Sequence, residues 1–280
     1  MQPGTIEIRS ISTNEELRAC VELQIDIWGE SFTDLVPASI LKVAQRIGGV
    51  TAGAFDRAGT LIGFVFGLTG VEQGRIVHWS DMLAVRPDGR NLGLGRKLKE
   101  FQRDMVRSMG GEVIYWTFDP LVARNAHINL NRLGVRVAEY AENMYGVTES
   151  ALHGGLATDR LVVAWSTDDG DTASRIAEAQ RALASSDCRE APIASDDWIR
   201  DVADASILPY CIRVAIPRDG EAMLLEDPQR ALRWRTSARH AIRWGLEHGY
   251  TIDALLTEDG DAQAYYLMTR TPRQHLTLDR

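Results

Sequence analysis

Three β-rich runs, "VTAGAFD", "LIGFVFGLTGV" and "IVHWSDMLAV", succeed one another with only "RAGT" and "EQGR" between them. Breaks with this Gly and polar content suit hairpin loops, so residues 50–85 predict an antiparallel meander. Directly after it comes "RNLGLGRKL" (90–98), and Leu94, Leu98, Phe101, Met105 and Met109 then recur at three- and four-residue steps up to Gly110 and Gly111. That spacing predicts an amphipathic helix.

The flanks extend the pattern. "TIEIRSI" alternates like a strand, and "STNEELRACVELQIDIWG" opens on capping residues and sets Leu17, Cys20 or Val21, and Trp28 at helical intervals before Gly29. "VPASILKVAQRIGG" predicts a second helix with Pro37 in its first turn and Gly48 and Gly49 at its exit. Beyond the long helix, "EVIYWTF" predicts a buried strand, "PLVARNAHINLNRLG" a helix, and "VRVAEYAENMYG" and "DRLVVAW" two more strands, giving the order βααβββαβαββ.

From Ser166 the chain turns polar and Ala-rich, which predicts a connector with one helix over 167–205. A smaller α/β unit over 206–280 is expected from "YCIRVAIP", a long helix across "DPQRALRWRTSARHAIRWGLEHG", and the runs "YTIDALL" and "AQAYYLM". The long helix is expected to turn Leu232, Ala238, Ile242 and Leu246 to a core, with Arg233, Arg239 and Arg243 on solvated faces.

Composition narrows the function classes. A chain of 280 residues, 45% hydrophobic and 25% charged, builds an ordinary core. Its net charge of -8, without a Lys/Arg-rich tract, argues against nucleic acid as a partner. "MQPGTIEIRS" does not read as a signal peptide, and the longest apolar run, "LIGFVFGL", is too short to span a bilayer, so no membrane association and a cytoplasmic location are expected. Cys20, Cys188 and Cys211 are odd in number, widely spaced and without histidines at metal-ligand intervals; neither a disulfide framework nor a metal site is expected.

The glycine turn can carry chemistry. Where a strand gives way to a helix, the first N–H groups are unpaired and the helix dipole adds partial positive charge, while glycine lets a phosphate approach the backbone. Arg90, Gly93 and Gly95 thus offer a pyrophosphate site. A P-loop would need Gly-Lys-Ser/Thr, and here Arg96 and Lys97 follow Gly95; a dinucleotide fingerprint would need a third glycine in a βαβ unit.

In this context the chain resembles the GNAT superfamily of acyl-CoA-dependent N-acyltransferases. The superfamily's signature, Q/R-x-x-G-x-G/A between the fourth strand and third helix, reads Arg90-Asn91-Leu92-Gly93-Leu94-Gly95 here. A second signature is met by "RNAHINLNRLGV", with Asn125, Ala126, Gly134 and Val135. "WTFDPL", "RNA", "LG", "YG" and "TDRL" resemble a bacterial and archaeal branch of predicted acetyltransferases, and Ile216-Pro217, Trp234-Arg235 and Gly249-Tyr250 are similar to elements in its carboxy-terminal part. The resemblance implies an α+β GNAT fold over 1–166, a mixed, mostly antiparallel sheet with flanking helices.

It also implies acetyl-CoA or coenzyme A as cofactor. The backbones of Leu83 and Val85 would hold the pantetheine arm as an added strand. The amides of Asn91, Leu92, Gly93, Leu94, Gly95 and Arg96, with Arg90, would hold the pyrophosphate. Asn125 would bond the pantetheine or the adjoining backbone, with a helix N-cap as its structural alternative.

Transfer to an amine needs a base, an oxyanion donor and an acid for the thiolate. The resemblance ranks Asp81 first as base, and His78 second for its intrinsic pKa; the oxyanion donor would be an N–H near Leu83. Strand alternation sets His78 and Ser80 on one face and Trp79, Asp81 and Leu83 on the other. The superfamily's frequent acid tyrosine corresponds to Leu130, which cannot donate a proton, leaving Tyr140 or Tyr145 as substitutes or direct protonation by solvent, because a CoA thiolate leaves without much help near neutral pH. Trp28, Phe32 and Asp119 would line the acceptor cleft.

The expected activity is acetyl transfer from acetyl-CoA to the amine of a small molecule, with a homodimer as one open assembly. The alternatives are a catalytically silent CoA-binding regulatory module, or a GNAT-fold enzyme of other acyl-CoA chemistry, O-acyl transfer or decarboxylation.

Overall fold

A computed structural model describes residues 6–30, 32–90, 92–146, 158–202 and 208–270. The described residues fall into two compact units, Met1–Trp116 with Ala164–Asp169, and Thr117–Val163 with Gly170–Arg280. The architecture is mixed α+β, with a seven-stranded sheet in the order β1-β2-β3-β4-β5-β7-β6 and a separate three-stranded sheet.

In the first unit β1 (Glu7–Ser10) leads into α1 (Asn14–Trp28) and α2 (Ala38–Arg46). The start of α1 is set by a capping box. Thr13 Oγ1 accepts from the Glu16 N–H at 3.1 Å, and the Glu16 carboxylate accepts from the Thr13 N–H at 3.2 Å. Arg9 lies 2.6 Å from Glu16 and, by that hydrogen bond, holds its carboxyl down at about 2.

β2 (Val50–Phe55), β3 (Leu61–Glu72) and β4 (Arg75–Val85) form the expected meander, all antiparallel. Its second turn is tight, with both Gln73 and Gly74 at positive φ. α3 (Leu94–Ser108) and β5 (Val113–Phe118) follow.

The two faces of β3 bury different neighbours. Phe64 and Phe66 join Leu17, Cys20 and Leu41 of α1 and α2 in one apolar cluster. A Cβ placed on Gly63 or Gly67 would instead meet Leu98 or Gln102 of α3. The core face of α3 differs from the expected one, since Leu94, Leu98, Lys99, Gln102 and Val106 are buried while Phe101, Met105 and Met109 are only half-buried.

In the second unit the expected single helix after Pro120 is instead α4 (Ala123–Ala126) running into a wider π-helical stretch, His127–Leu133. Gly134 closes it at φ 65°, and a Cβ there would lie 2.8 Å from the Thr172 carbonyl, so glycine is required both by conformation and by space. β6 (Arg136–Ala141) and β7 (Arg160–Ser166) complete the large sheet.

Among the described residues the stretch after Ser166 holds three helices rather than one, α5 (Asp169–Ala184), α6 (Ser186–Arg189) and α7 (Asp196–Val202). β8 (Cys211–Pro217), α8 (Gly220–Glu226), α9 (Pro228–Glu247), β9 (Thr251–Thr257) and β10 (Gln263–Thr269) follow, with β10 central in the second sheet. On α9 the expectation for Leu232 is corrected. It is 51% exposed, and Ala231, Arg235, Ala238, Ile242 and Trp244 form the buried face because Arg235 is neutralised there by a carboxylate. Cys20, Cys188 and Cys211 are free and buried. Among the described residues no helix is long and apolar enough to cross a membrane, and no cluster of His, Cys, Asp or Glu is placed to hold a metal ion.

Candidate active site

β4 is the strand around which the site is built. Its ladder with β3 shifts register between Phe66 and Gly67, which face Met82 and Ser80, so Asp81 is an extra residue at a bulge. The bulge corrects the simple alternation read from the sequence. Ser80 stays with His78 on the α3 side, Met82 and Ala84 join the α1–α2 cluster, and Leu83 comes round to α3, its Cδ2 3.7 Å from a Cβ built on Gly95.

The parallel ladder between β4 and β5 covers Val77–Trp79 opposite Val113–Tyr115. Beyond that point the two strands part, leaving Leu83 36% exposed and Val85 half-buried along an open backbone edge.

Asp81 is solvent-accessible yet crowded, and burial, then the Asp34 carboxylate, raises its pKa above the usual range. Asp34 belongs to the loop between α1 and α2, which is pinned by a buried amide. Gln24 Oε1 accepts from the Val36 N–H at 2.8 Å and Gln24 Nε2 donates to the Val36 carbonyl at 3.1 Å. Trp28 and Phe32, at the same end of α1, lie with ring centroids 5.3 Å apart and pack on the apolar cluster.

The glycine turn sits between β4 and α3. Gly93 is the N-cap at φ 70°, and Lys97 makes the first helical bond, to the Gly93 carbonyl at 3.1 Å. The amides of Leu94, Gly95 and Arg96 therefore have no intrahelical acceptor. Gly95 is more telling than Gly93: its φ imposes no need for glycine, and a Cβ there would meet only Leu83 within 4 Å. The first turn holds no acidic residue, while Arg90 precedes it and Arg96 and Lys97 lie within it, with Arg96 2.7 Å from Glu100. Asn91 lies outside the described residues.

Behind β4 runs a buried polar chain. Lys99 Nζ donates to Ser80 Oγ at 2.7 Å, Ser80 Oγ donates to Gln102 Oε1 at 2.7 Å, and Gln102 Nε2 donates to His78 Nε2 at 3.0 Å. His78 Nδ1 lies 2.9 Å from Thr69 Oγ1, which donates to the Gly48 carbonyl. This order of donors implies a neutral imidazole with its proton on Nδ1. Burial, then the Lys99 charge, lowers His78 to about 4, and its side chain has no exposed surface to offer an acceptor. Lys99 also lies 3.8 Å over the Trp116 ring, and burial lowers it to about 7.

The remaining expected residues belong to the second unit. Asn125 is exposed inside α4, whose N-cap is Val122, so it does not cap the helix. Leu130 is buried. Asp119 is held by Arg235 through two hydrogen bonds of 2.7 and 2.6 Å, with Arg160 at 3.7 Å, and caps the Leu121 N–H. Tyr140 donates to Asp159 at 2.7 Å, and burial and that carboxylate push its pKa far up. Tyr145 is 49% exposed, its hydroxyl 3.2 Å from Thr117 Oγ1. A depression of about 550 Å³ in this unit is lined by Arg189, Glu190, Arg213 and Glu258 and contains none of the expected residues.

Sequence reasoning missed Lys99, Gln102 and Asp34, and it named Arg235 without its partner Asp119. A signal for Gln102 existed, since Leu94, Leu98, Gln102 and Val106 recur every four residues, which puts a polar side chain on a core stripe.

No family model and no curated protein matches the chain. Among solved structures it is similar to an N-acetyltransferase from Staphylococcus aureus Mu50, with TM-score 0.48 and 14% identity over 59% of this chain and 100% of that one. It is similar to the ribosomal-protein-S18-alanine N-acetyltransferase from Escherichia coli, with TM-score 0.45 and 20% identity over 59% of this chain and 95% of that one. It is also similar to yncA from Salmonella typhimurium, solved with its cofactor acetyl-CoA, with TM-score 0.47 and 18% identity over 59% and 95% of the two chains.

Proposed function

We infer that the protein is a GNAT-type acyltransferase that moves the acetyl group of acetyl-CoA to the amine of a small molecule by direct attack. The observation that carries this reading is the parting of β4 from β5 after Trp79 and Tyr115, with a bulged carboxylate beside the opening and an amide-rich turn at the far end of β4.

The residues fit such a substrate. The amides of Leu94, Gly95 and Arg96, with the basic side chains around them, suit a pyrophosphate, and the space at Gly95 is room that the chain's own packing does not use. The open edges of Leu83 and Val85 suit the amide-bearing pantetheine arm, and an N–H near Leu83 suits the oxyanion. Asp81, with its raised pKa, takes a proton from the attacking amine more readily than an ordinary surface carboxylate would. Asp34 adds negative charge that favours a cationic amine, and Trp28 and Phe32 supply a flat apolar wall. His78, Tyr140 and Asp119, each engaged by its own neighbours, are read as supports of the fold.

Residues 1–166 are read as the acyltransferase part, with 167–205 joining it to 206–280. Mass analysis of products formed from acetyl-CoA and a panel of primary amines tests the reading. Acetylated amine is expected, with turnover lowered about 100-fold or more in Asp81→Asn. CoA binding without product from any amine would favour a silent binding module. Hydroxyl acetylation or loss of CO₂ from malonyl-CoA would favour the other acyl-CoA chemistries.

A further inference from the structure

The superfamily's usual acid position is occupied by Leu130, which is buried and apolar, yet a thiolate leaving at neutral pH gains from a nearby cation or proton donor. Lys99 meets that need. The two groups its ammonium touches, Ser80 on β4 and Trp116 on β5, are the residues that directly follow the last paired residues of those strands, Trp79 and Tyr115. The ammonium therefore stands under the point where the strands begin to part.

Lys99 is only 5% exposed, and among the described residues it has no carboxylate partner, only a hydroxyl and an aromatic face. A buried cation without a counter-charge is unfavourable in the free protein and gains from an incoming anion. The titratable group facing it from β4 is His78, neutral at pH 7.

We propose that Lys99 protonates the sulfur of the departing thiol. This rests on the acyl-CoA reading above. An arm laid along Val85 and Leu83 from the glycine turn brings its reacting end to the level of Asp81 and Ser80. Asp81 then addresses the amine from the side of the α1–α2 loop, and Lys99 addresses the sulfur from the side of α3.

In the step itself the amine nitrogen forms a C–N bond to the acyl carbon, and the C–S bond breaks with its electron pair on sulfur. Lys99 gives one proton to that sulfur and becomes neutral. The proton lost by the amine goes to Asp81 and on to solvent, and Lys99 regains one from solvent when the thiol leaves. An ammonium lowered to about 7 exists in both forms at neutral pH, as such a cycle needs.

The test titrates the thiol of CoA bound to the protein, read by thiolate absorbance, with binding followed by calorimetry. With the wild type, the bound thiol should ionise at least one pH unit below free CoA. Lys99→Met should return it to the free value or above while CoA affinity at pH 6 changes less than threefold. Lys99→Arg, which keeps the charge, should preserve most of the lowering and also controls for folding. An unshifted thiol in the wild-type complex, or a shift unchanged in Lys99→Met, overturns the assignment of Lys99 alone. Failure of the wild type to bind CoA overturns the acyl-CoA reading and this assignment with it.

Discussion

Arg235 in the second unit and Lys99 in the first are both buried cations, and they are held in opposite ways. In the second unit the buried Arg235 holds Asp119, and the half-buried Arg239 holds the fully buried Asp159 at 2.8 Å through two nitrogens. In the first unit Lys99 faces only Ser80 and Trp116, and the chain from it through Gln102 to His78 contains no negative charge. Compensated charge contributes to holding a fold. Uncompensated charge is tolerated where a ligand completes the balance.

The contrast can be broken first at Arg235. Its truncation to Ala leaves the Asp119 carboxylate with only Arg160 nearby, and urea unfolding should show a loss of about 3–5 kcal/mol. A loss under about 1 kcal/mol would mean that the pair is not structural.

Lys99→Met should act with the opposite sign, stabilising the free protein by about 1–4 kcal/mol at pH 7 as an uncompensated charge is replaced by apolar volume. The folded value of about 7 lies below the ordinary lysine value of 10.5, so the unfolded chain binds more protons between them. Wild-type stability should rise with pH across that window, and the advantage of the variant should shrink, as unfolding at pH 7, 8.5 and 10 would show. A destabilised Lys99→Met at pH 7 would contradict the contrast.

Gly67→Ala sharpens the picture of the polar chain. The added Cβ would lie 2.2 Å from His78 Nε2 and 2.5 Å from the Trp79 carbonyl, so a loss of about 1–3 kcal/mol is expected from calorimetric melting. Tyr140→Phe should be the mildest, about 0.5–1.5 kcal/mol, because Asp159 keeps Arg239 and the Asn143 N–H at 3.0 Å. A Tyr140→Phe variant that folds normally but stops acyl transfer would return that hydroxyl to the chemistry.

Much of the first unit was legible because local signals agreed. Thr13 and Glu16 announce the start of α1, "EQGR" turns the meander, and Gly93 and Gly95 stand where β4 gives way to α3. The bulge at Asp81 was not legible, since nothing in "HWSDMLAV" distinguishes an unbroken alternation from one with an inserted residue, and the face of Leu83 was misassigned for that reason. The same limit hid Lys99: a lysine on a helix is ordinarily solvated, and only the packing of α3 on β4 and β5 buries it. In the second unit Arg233 and Arg243 of α9 are exposed as expected, while the half-buried pairing of Arg239 was hidden because its partner Asp159 lies 80 residues away along the chain.

The central claim is that the turn before α3 receives the pyrophosphate of CoA, and Gly95 tests it most directly. Its backbone accepts a side chain without strain and its neighbourhood is open, so Gly95→Leu should fold at least as well as the wild type. A calorimetric titration with CoA is predicted to give saturable binding to the wild type and binding about 100-fold weaker or undetectable to Gly95→Leu. Equal affinity in the two proteins would contradict the account.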